Sequence, residues 1–150
     1  MDKFDEKILQ ELKSDGRISN IKLSERIGLS PSATFRRVQE LERKRVIKGY
    51  RVILDPEQLQ IGFVAFVSIG LSDHRRSSQL AFEQHVADVP EVVECHNVTG
   101  THEYLLRVEA TDLKHFQRIH SNVLGECPHV NAITTMVVME SSKDQRSWIR

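Results

Sequence analysis

The feature that most constrains the fold is a pair of short helices separated by only three residues. The earlier of the two is predicted to begin after Ser19 and to end at Gly28, a residue suited to positive φ. Ser30 and Pro31 then supply an N-cap and a first helical residue, so the next helix is predicted from there to about Arg43. Because this turn is too short for an antiparallel pair of long helices, the two must cross steeply, as in a helix-turn-helix.

The residues on either side of this pair complete a small N-terminal domain. A first helix is predicted over residues 4–13, with Asp2 as its N-cap. The helix after Ser30 is expected to bury Phe35, Val38 and Leu41. Two apolar segments then bracket Lys48-Gly49, which predicts a β-hairpin, or wing, and residues 57–60 could form a brief linker helix. We therefore expect a winged helix-turn-helix domain with its linker over residues 1–62.

Residues 63–150 alternate between strand-like and helix-like segments. Strands are predicted over 63–71, 92–99, 103–110 and 130–140, with helices over 77–89 and after Asp112. This β-α-β-β-α-β order predicts a ferredoxin-like domain (αβ-plait), a four-stranded antiparallel sheet with both helices on one face. The whole chain is thus expected to be α+β. The polar segment 141–150 is expected to be loosely ordered, although Trp148 and Ile149 could pack against the protein.

The predicted sheet has apolar side chains on both faces of its first and last strands. On the first strand Ala65 and Val67 point to one side, while Val64 and Phe66 point to the other. A sheet face that is open to water normally carries polar residues, and a large exposed apolar face is usually an interface. The pattern therefore predicts a homodimer in which two sheets pack face to face about a twofold axis.

Charge is distributed unevenly along a chain whose net charge is zero. Residues 17–51 contain 10 basic and 3 acidic residues, whereas residues 63–150 contain 8 and 11. A basic block on a neutral chain indicates a face that binds a polyanion, although surface helices also carry Arg and Lys for solubility. The candidate DNA-binding residues are Lys22, Arg26, Ser30, Ser32, Ala33, Thr34, Arg36, Arg37, Glu40, Arg43, Lys44, Lys48 and Arg51.

Other classes of protein find little support in the sequence. No apolar run is long enough to span a membrane and no signal peptide is recognisable, so we expect a cytoplasmic protein. Cys95 and Cys127 are too few and too far apart for a disulfide framework, and we expect reduced, mostly buried thiols. The chain has no nucleophile elbow, phosphate-binding loop or dinucleotide fingerprint, and its histidines lack metal-ligand spacing. We therefore expect neither cofactor, metal nor enzymatic activity.

The chain also resembles a known family, the leucine-responsive regulatory protein/AsnC (feast/famine) transcription regulators. The resemblance rests on DEKILQELKSDGRISNIKLSERIGLSPSATFRRVQELERKRVIKGYRVILDP in the DNA-binding half, and on ECHNVTGTHEYLLRVEATDL and VNAITTMVVMES in the sensing half. It covers about residues 2–140. It implies a sequence-specific regulator that binds double-stranded DNA, responds to an amino acid or similar metabolite, and forms homodimers that assemble into tetramers or octamers.

The same resemblance implies an effector site near the turn between the second and third strands. The residues carried over by motif are His96, Val98, Gly100, Thr101, His102, Glu103, Tyr104, Thr134 and Met136. Backbone N–H groups at Gly100 and Thr101 could hold a carboxylate, and Glu103 could pair with an ammonium group. The family usually places an acidic or small polar residue, an aromatic residue and Asp after the glycine, so Thr101-His102-Glu103 leaves the effector's identity open. In the alternative reading this is a plain hairpin turn with Glu103 as a surface charge.

Two alternative functions accompany the regulator reading. The first is a nucleoid-associated protein that organises DNA and senses no effector, which the departures at the turn keep open. The second is an enzyme similar to the sirohaem decarboxylases, which resemble this family and carry histidines near their cofactor. His102, Glu103, Tyr104 and Arg107 could suggest such a site. An enzyme of that kind would have no need of the basic block at residues 17–51.

Overall fold

A computed structural model describes residues 1–144 of the chain, so Trp148 and Ile149 lie outside the described residues. The chain divides into two compact units, one that ends at Val52 and one that starts at Ile53. The boundary inferred from sequence, near Gly62, lies further along the chain. Within residues 1–144 there is no helix long and apolar enough to cross a membrane.

Three helices form the first unit, and the caps expected from sequence bound them. They are α1 (Lys3–Ser14), α2 (Asn20–Ile27) and α3 (Pro31–Arg43). Asp2 and Asp5 form a capping box at the start of α1, and the Ser19 side chain caps α2. Gly28 ends α2 at φ 76°, the left-handed region that favours glycine, and the Ser30 hydroxyl accepts from the N–H of Ala33 at the start of α3. The helix-turn-helix prediction is confirmed.

The core of this unit corrects one expectation about α3. Its buried apolar side chains are Ile8, Leu23, Ile27 and Leu41, and Val38 packs against them. Phe35 is not inward, since 54% of it is exposed, and the fully buried neighbour is Thr34. The Thr34 hydroxyl donates to the Ser30 carbonyl oxygen at 3.0 Å, so its burial leaves no polar group unsatisfied. Thr34, Val38 and Leu41 thus form the inward row.

The segment after α3 differs from the predicted hairpin. Residues 44–62 contain no strand, and residues 56–60 form turns rather than a linker helix. α3 ends where Arg45 adopts φ 56° and the N–H groups of Val46 and Ile47 both donate to the Leu41 carbonyl. The Tyr50 hydroxyl then donates to Glu42 at 2.9 Å. Only the pairing of strands expected in the wing is wrong, since no ladder of hydrogen bonds joins the two short apolar segments and isolated two-stranded hairpins are marginal.

The second unit has the predicted β-α-β-β-α-β order. Its elements are β1 (Phe63–Leu71), α4 (Arg76–Ala87), β2 (Val92–Asn97), β3 (Tyr104–Ala110), α5 (Leu113–Ile119) with a π-helical turn (His120–Leu124), and β4 (Val130–Val137). The four strands form one antiparallel sheet in the order β2-β3-β1-β4. This topology confirms the ferredoxin-like prediction.

Both helices cover the same face of the sheet. Phe82 of α4 and Phe116 of α5 are buried in one cluster with Val67 of β1 and Leu106 of β3. Alternate residues of β1 and β3 enter this core, as the period of two requires. Cys127 is buried there as a free thiol, as expected, whereas the free Cys95 is exposed.

The other face of the sheet is less apolar than predicted. Arg107 of β3 occupies its centre, with the guanidinium 5.6 Å from the ring centroid of Phe66 on β1. It forms ion pairs with Glu109 at 2.9 Å and with Asp144 at 2.7 Å, and only 11% of the Arg107 side chain is exposed. Exposed apolar side chains on β4 and just beyond it include Met136 and Met139. The apolar surface is therefore concentrated at the β4 edge rather than spread over the whole face.

Candidate functional site

The solvent-facing row of α3 consists of four residues at helical spacing. Ser32, Phe35, Arg36 and Gln39 are all exposed and lie three or four residues apart, so they form one surface patch. We call this patch the outer face of α3. Ser32 and Arg36 were expected here from sequence, whereas Phe35 and Gln39 were not. Their spacing from Arg36 was the signal that could have identified them.

Arg36 and Arg37 have different partners although they are adjacent in sequence. Among residues 1–144, the Arg36 guanidinium makes no hydrogen bond or ion pair. The Arg37 guanidinium lies 2.7 Å from the Asp5 carboxylate and 2.9 Å from that of Asp2, and it stacks on Phe4 at 5.6 Å. Arg37 therefore connects α3 to the start of α1. Its predicted role as a DNA contact competes with this internal role.

Other predicted contacts on the helices are also engaged within the protein. Arg26 of α2 pairs with Glu11 of α1 at 2.7 Å. Glu40 accepts from Arg43 at 2.7 Å and from Lys44 at 3.2 Å, and these hydrogen bonds lower the pKa of Glu40 to about 2. Exposed pairs of this kind contribute little to stability, so a phosphate can replace the carboxylate partner.

The basic block thus separates into paired and unpaired cations. Of the ten basic residues between Arg17 and Arg51, four form ion pairs with carboxylates. Within the described chain, the other six have no ion pair: Arg17, Lys22, Arg36, Arg45, Lys48 and Arg51. Ser30 and Ser32 are exposed at the start of α3, Ala33 is half-buried, and Thr34 is buried and so cannot contact DNA in this conformation.

The residues predicted for an effector are spread over both edge strands and both faces of the sheet. The strand registers place His96, Leu105, Ser68 and Thr134 in one row across β2, β3, β1 and β4. Three strand spacings of about 4.8 Å put His96 and Thr134 about 14 Å apart, too far for one small ligand to contact both. Tyr104 is buried on the helix-covered face, where its hydroxyl donates to Glu83 of α4 at 2.7 Å. Tyr104 is therefore a core residue.

The turn between β2 and β3 has the features of a carboxylate cradle. Gly100 has φ 128°, and a Cβ added there would meet no atom within 4 Å, so the turn is open to solvent. Within residues 1–144 the N–H groups of Gly100, Thr101 and His102 have no acceptor. The His102 ring lies over Gly70, where an added Cβ would be 3.1 Å from its Cδ2 atom. The absence of a side chain at Gly70 thus lets the turn approach the sheet.

Glu103 is part of the scaffold of this turn rather than a surface charge. Its Oε2 accepts from the N–H of Leu71 at 2.7 Å, and its Oε1 lies 3.0 Å from His74 Nδ1. Only 14% of the Glu103 side chain is exposed. The alternative reading of Glu103 as a solvated charge is therefore wrong, and each carboxylate oxygen already has one partner.

Comparison with known proteins agrees with this division into two functional units. The family model for the winged helix-turn-helix DNA-binding domain matches residues 1–48, and the model for the Lrp/AsnC ligand binding domain matches residues 64–148. The chain belongs to the Lrp/AsnC family. As a member of that family it is a DNA-binding transcription regulator and not an enzyme. The comparisons therefore do not support the decarboxylase alternative.

Several relatives of this Lrp/AsnC regulator match over nearly their whole length. The leucine-responsive regulatory protein of Salmonella typhimurium is 41% identical, over 99% of this chain and 91% of its own. The proline dehydrogenase transcriptional activator of Rhizobium radiobacter is 37% identical, over 96% and 92%. A solved transcriptional regulator from Neisseria meningitidis, in complex with L-Met, is similar with TM-score 0.93 and 33% identity, over 99% and 96%.

Proposed function

We propose that this Lrp/AsnC regulator binds an operator in double-stranded DNA through the outer face of α3 and the unpaired cations around it. The observation that carries this proposal is the pairing pattern of the basic block, in which Arg36 is free while Arg37 is bound to α1. Free cations are available to phosphates and base edges without loss of an internal contact. A chromosomal DNA-binding protein of this kind would work in the cytoplasm.

The DNA-binding form in this proposal is a homodimer, which we expect to assemble further into a tetramer or octamer. Its support is the exposed apolar surface near β4, where Met136 is 49% exposed and Met139 is 98% exposed. Apolar side chains exposed together on an edge strand and just beyond it favour association with a second copy. Sedimentation analysis is expected to give a dimer or larger species, and a stable monomer at micromolar concentration would contradict the proposal.

The proposed effector is an apolar α-amino acid whose carboxylate binds the free N–H groups of the turn at Gly100–His102. Support comes from the open turn itself and from relatives named for leucine or solved with L-Met. Since His96 and Thr134 lie on opposite edge strands, they cannot close one site around the turn within a single chain. We therefore place the site at the turn, where a second copy would complete it.

The DNA-binding proposal is tested by selecting operators from random duplexes with the full-length protein. A sequence-specific regulator is expected to enrich one defined site and to bind it with strong salt dependence. Uniform binding to all duplexes, with no enriched site, would instead support the nucleoid-organising alternative.

The effector proposal is tested by isothermal titration with the twenty amino acids, beginning with leucine and methionine. Thr101→Glu places a carboxylate beside the N–H groups of the turn and is expected to abolish binding while DNA affinity without effector is unchanged. Ser77→Glu adds the same charge at an exposed position of α4 and serves as the matched control. No heat with any amino acid, or full binding by Thr101→Glu, would refute this site.

A further inference from the structure

We propose that Phe35 reads the C5-methyl group of a pyrimidine in the major groove, so that the regulator distinguishes thymine from bases without that methyl group. This inference rests on the proposed function, because it assumes that the outer face of α3 enters the groove. It assigns a role in DNA sequence specificity to a side chain that takes no part in the core packing of α3.

The first support is the position of Phe35. It lies on the outer face of α3 with 54% of its surface exposed, although Thr34, the preceding residue, is completely buried. About half of the ring is therefore open to solvent on the face that also carries Ser32 and Arg36, so it is available to a partner that those residues contact. In the described chain, no aromatic or cation-π contact engages this ring.

The second support is the chemistry of the neighbouring side chains. Ser32 and Arg36 lie one helical turn apart on the same patch, and Gln39 lies one turn beyond Phe35. Arg pairs with guanine, Gln pairs with adenine, and a small Ser allows the helix to approach closely. The patch therefore combines an apolar ring with the polar groups that read base edges.

The third support decides between DNA and a protein partner for the ring. Phe and Arg are enriched in protein–protein interfaces as well, so the pair Phe35 and Arg36 fits either kind of partner. The surrounding charge decides, because residues 17–51 contain 10 basic and 3 acidic residues. A polyanion complements this surface. In the major groove the apolar group that base pairs present is the C5-methyl of thymine, and 5-methylcytosine carries the same group.

The expected effect is modest and measurable. Burial of one methyl-sized group corresponds to about a fourfold change in affinity, or about 0.8 kcal/mol. In a dimer that contacts one such methyl in each half-site, the two effects multiply to roughly 16-fold if the sites are independent. A Phe35→Ala protein is expected to bind the operator more weakly and to lose this sensitivity.

The experiment measures operator affinity by fluorescence anisotropy while each thymine of a selected operator is replaced in turn by deoxyuridine. The wild-type protein is expected to lose about fourfold in affinity at one thymine per half-site, and Phe35→Ala is expected to bind both duplexes equally. Phe35→Leu keeps an apolar contact and should retain part of the wild-type ratio between the affinities for the thymine and the deoxyuridine duplex. Leu113→Ala removes an exposed apolar side chain from α5, outside the basic block, and should keep the full wild-type ratio of affinities for the thymine and deoxyuridine duplexes.

A second arm separates the two sources of the methyl group. At the sensitive position, cytosine and 5-methylcytosine are compared opposite guanine. If methylation of cytosine raises the affinity of the wild type but not of Phe35→Ala, the ring senses the methyl group on either base. If only the methyl group of thymine raises the affinity of the wild type, the A·T pair is also required. Both results support the assignment of Phe35.

The outcomes that overturn the inference are distinct from failure of the regulator proposal. If the wild type binds its operator normally but no deoxyuridine weakens binding, or if Phe35→Ala keeps the wild-type ratio, Phe35 is not a methyl reader. A changed sedimentation coefficient of Phe35→Ala with an unchanged ratio would assign the ring to a contact between copies. If no operator is enriched in the selection, the DNA-binding proposal itself fails.

Discussion

Replacement of Arg36 and Arg37 by alanine, one at a time, separates a DNA contact from a structural contact on the same helix. The two variants lose the same charge from adjacent positions. Arg36 has no ion pair within residues 1–144, whereas Arg37 contacts Asp2 and Asp5. We therefore expect Arg36→Ala to weaken DNA binding without loss of stability, and Arg37→Ala to lower the unfolding temperature with a smaller effect on DNA binding.

The expected size of the DNA effect follows from the unpaired cations. Each phosphate contact contributes about −0.9 to the slope of log affinity against log salt concentration. If all six unpaired cations of each chain contact a phosphate, the steepest slope expected for two chains is about −11. Arg36→Ala should make this slope less steep by about 1.8 in a dimer if Arg36 binds phosphate. If it binds a base edge instead, affinity should fall by about 1–3 kcal/mol per contact, with relaxed specificity at that position.

The assay is fluorescence anisotropy with a selected operator between about 50 and 200 mM salt, together with thermal unfolding of each variant. Arg118→Ala is the matched control, since it removes the same charge from an exposed position on α5, outside the basic block. Asp5→Asn tests the structural role from the other side. Because Asp5 and Arg37 contact each other, their combined effect on the unfolding temperature should be smaller than the sum of the single effects.

The result that would refute this reasoning is the opposite pattern. If Arg37→Ala flattened the salt dependence as much as Arg36→Ala and left the unfolding temperature unchanged, the ion pairs of Arg37 would not hold in solution. If neither variant changed DNA affinity while the protein still bound its operator, α3 would not be the reading helix. Normal behaviour of Arg118→Ala in both assays is required for either conclusion.

Three further predictions concern the stability of the two units. Leu106→Ala, at a fully buried position of β3, should destabilise the protein by about 2–5 kcal/mol in urea unfolding, and a loss below 1 kcal/mol would contradict its burial. Gly28→Ala should cost about 1–2 kcal/mol through positive φ alone, since a Cβ there meets nothing within 4 Å; an unchanged stability would count against the left-handed cap. Burial, followed by the hydrogen bond to Glu83, raises the pKa of Tyr104 to about 12. Because the unfolded chain loses this proton near pH 10, the free energy of unfolding should fall as pH rises from about 10 to about 12. Phenolate absorbance measures the ionisation directly, and ionisation of Tyr104 near pH 10 in the folded protein would contradict the prediction.

The helix boundaries of the first unit could be predicted because their signals are local. Ser30 accepts from an N–H group three residues away, and Gly28 meets a conformational requirement of its own backbone. The orientation of α3 was predicted less well, because Phe35 and Thr34 differ by only one position on the helix. Hydrophobicity favoured Phe35 as the inward residue. The hydrogen bond from Thr34 to Ser30 makes the burial of the hydroxyl acceptable, and that bond is visible only in the structure.

The contacts that sequence reasoning missed join residues far apart in the chain. Arg37 and Asp5 are separated by 32 positions, as are Glu103 and Leu71. A charged side chain on a helix gives no local indication of whether its partner is a distant carboxylate or a ligand. For the same reason Tyr104 was placed in the effector site by motif, although its hydroxyl is bound to Glu83 in the core. Element order could be predicted, but the partners of individual polar groups could not.

These contacts suggest how a short helix can be held firmly and still present a free reading surface. Successive residues of a helix are rotated by about 100°, so Arg36 and Arg37 must point in different directions. Arg37 faces α1, where two carboxylates and the Phe4 ring hold it, while Arg36 remains on the outer face with Phe35 and Gln39. Internal ion pairs on the inward side fix the angle of α3, and the polar and aromatic groups on the outer side then approach a groove without first breaking contacts within the protein.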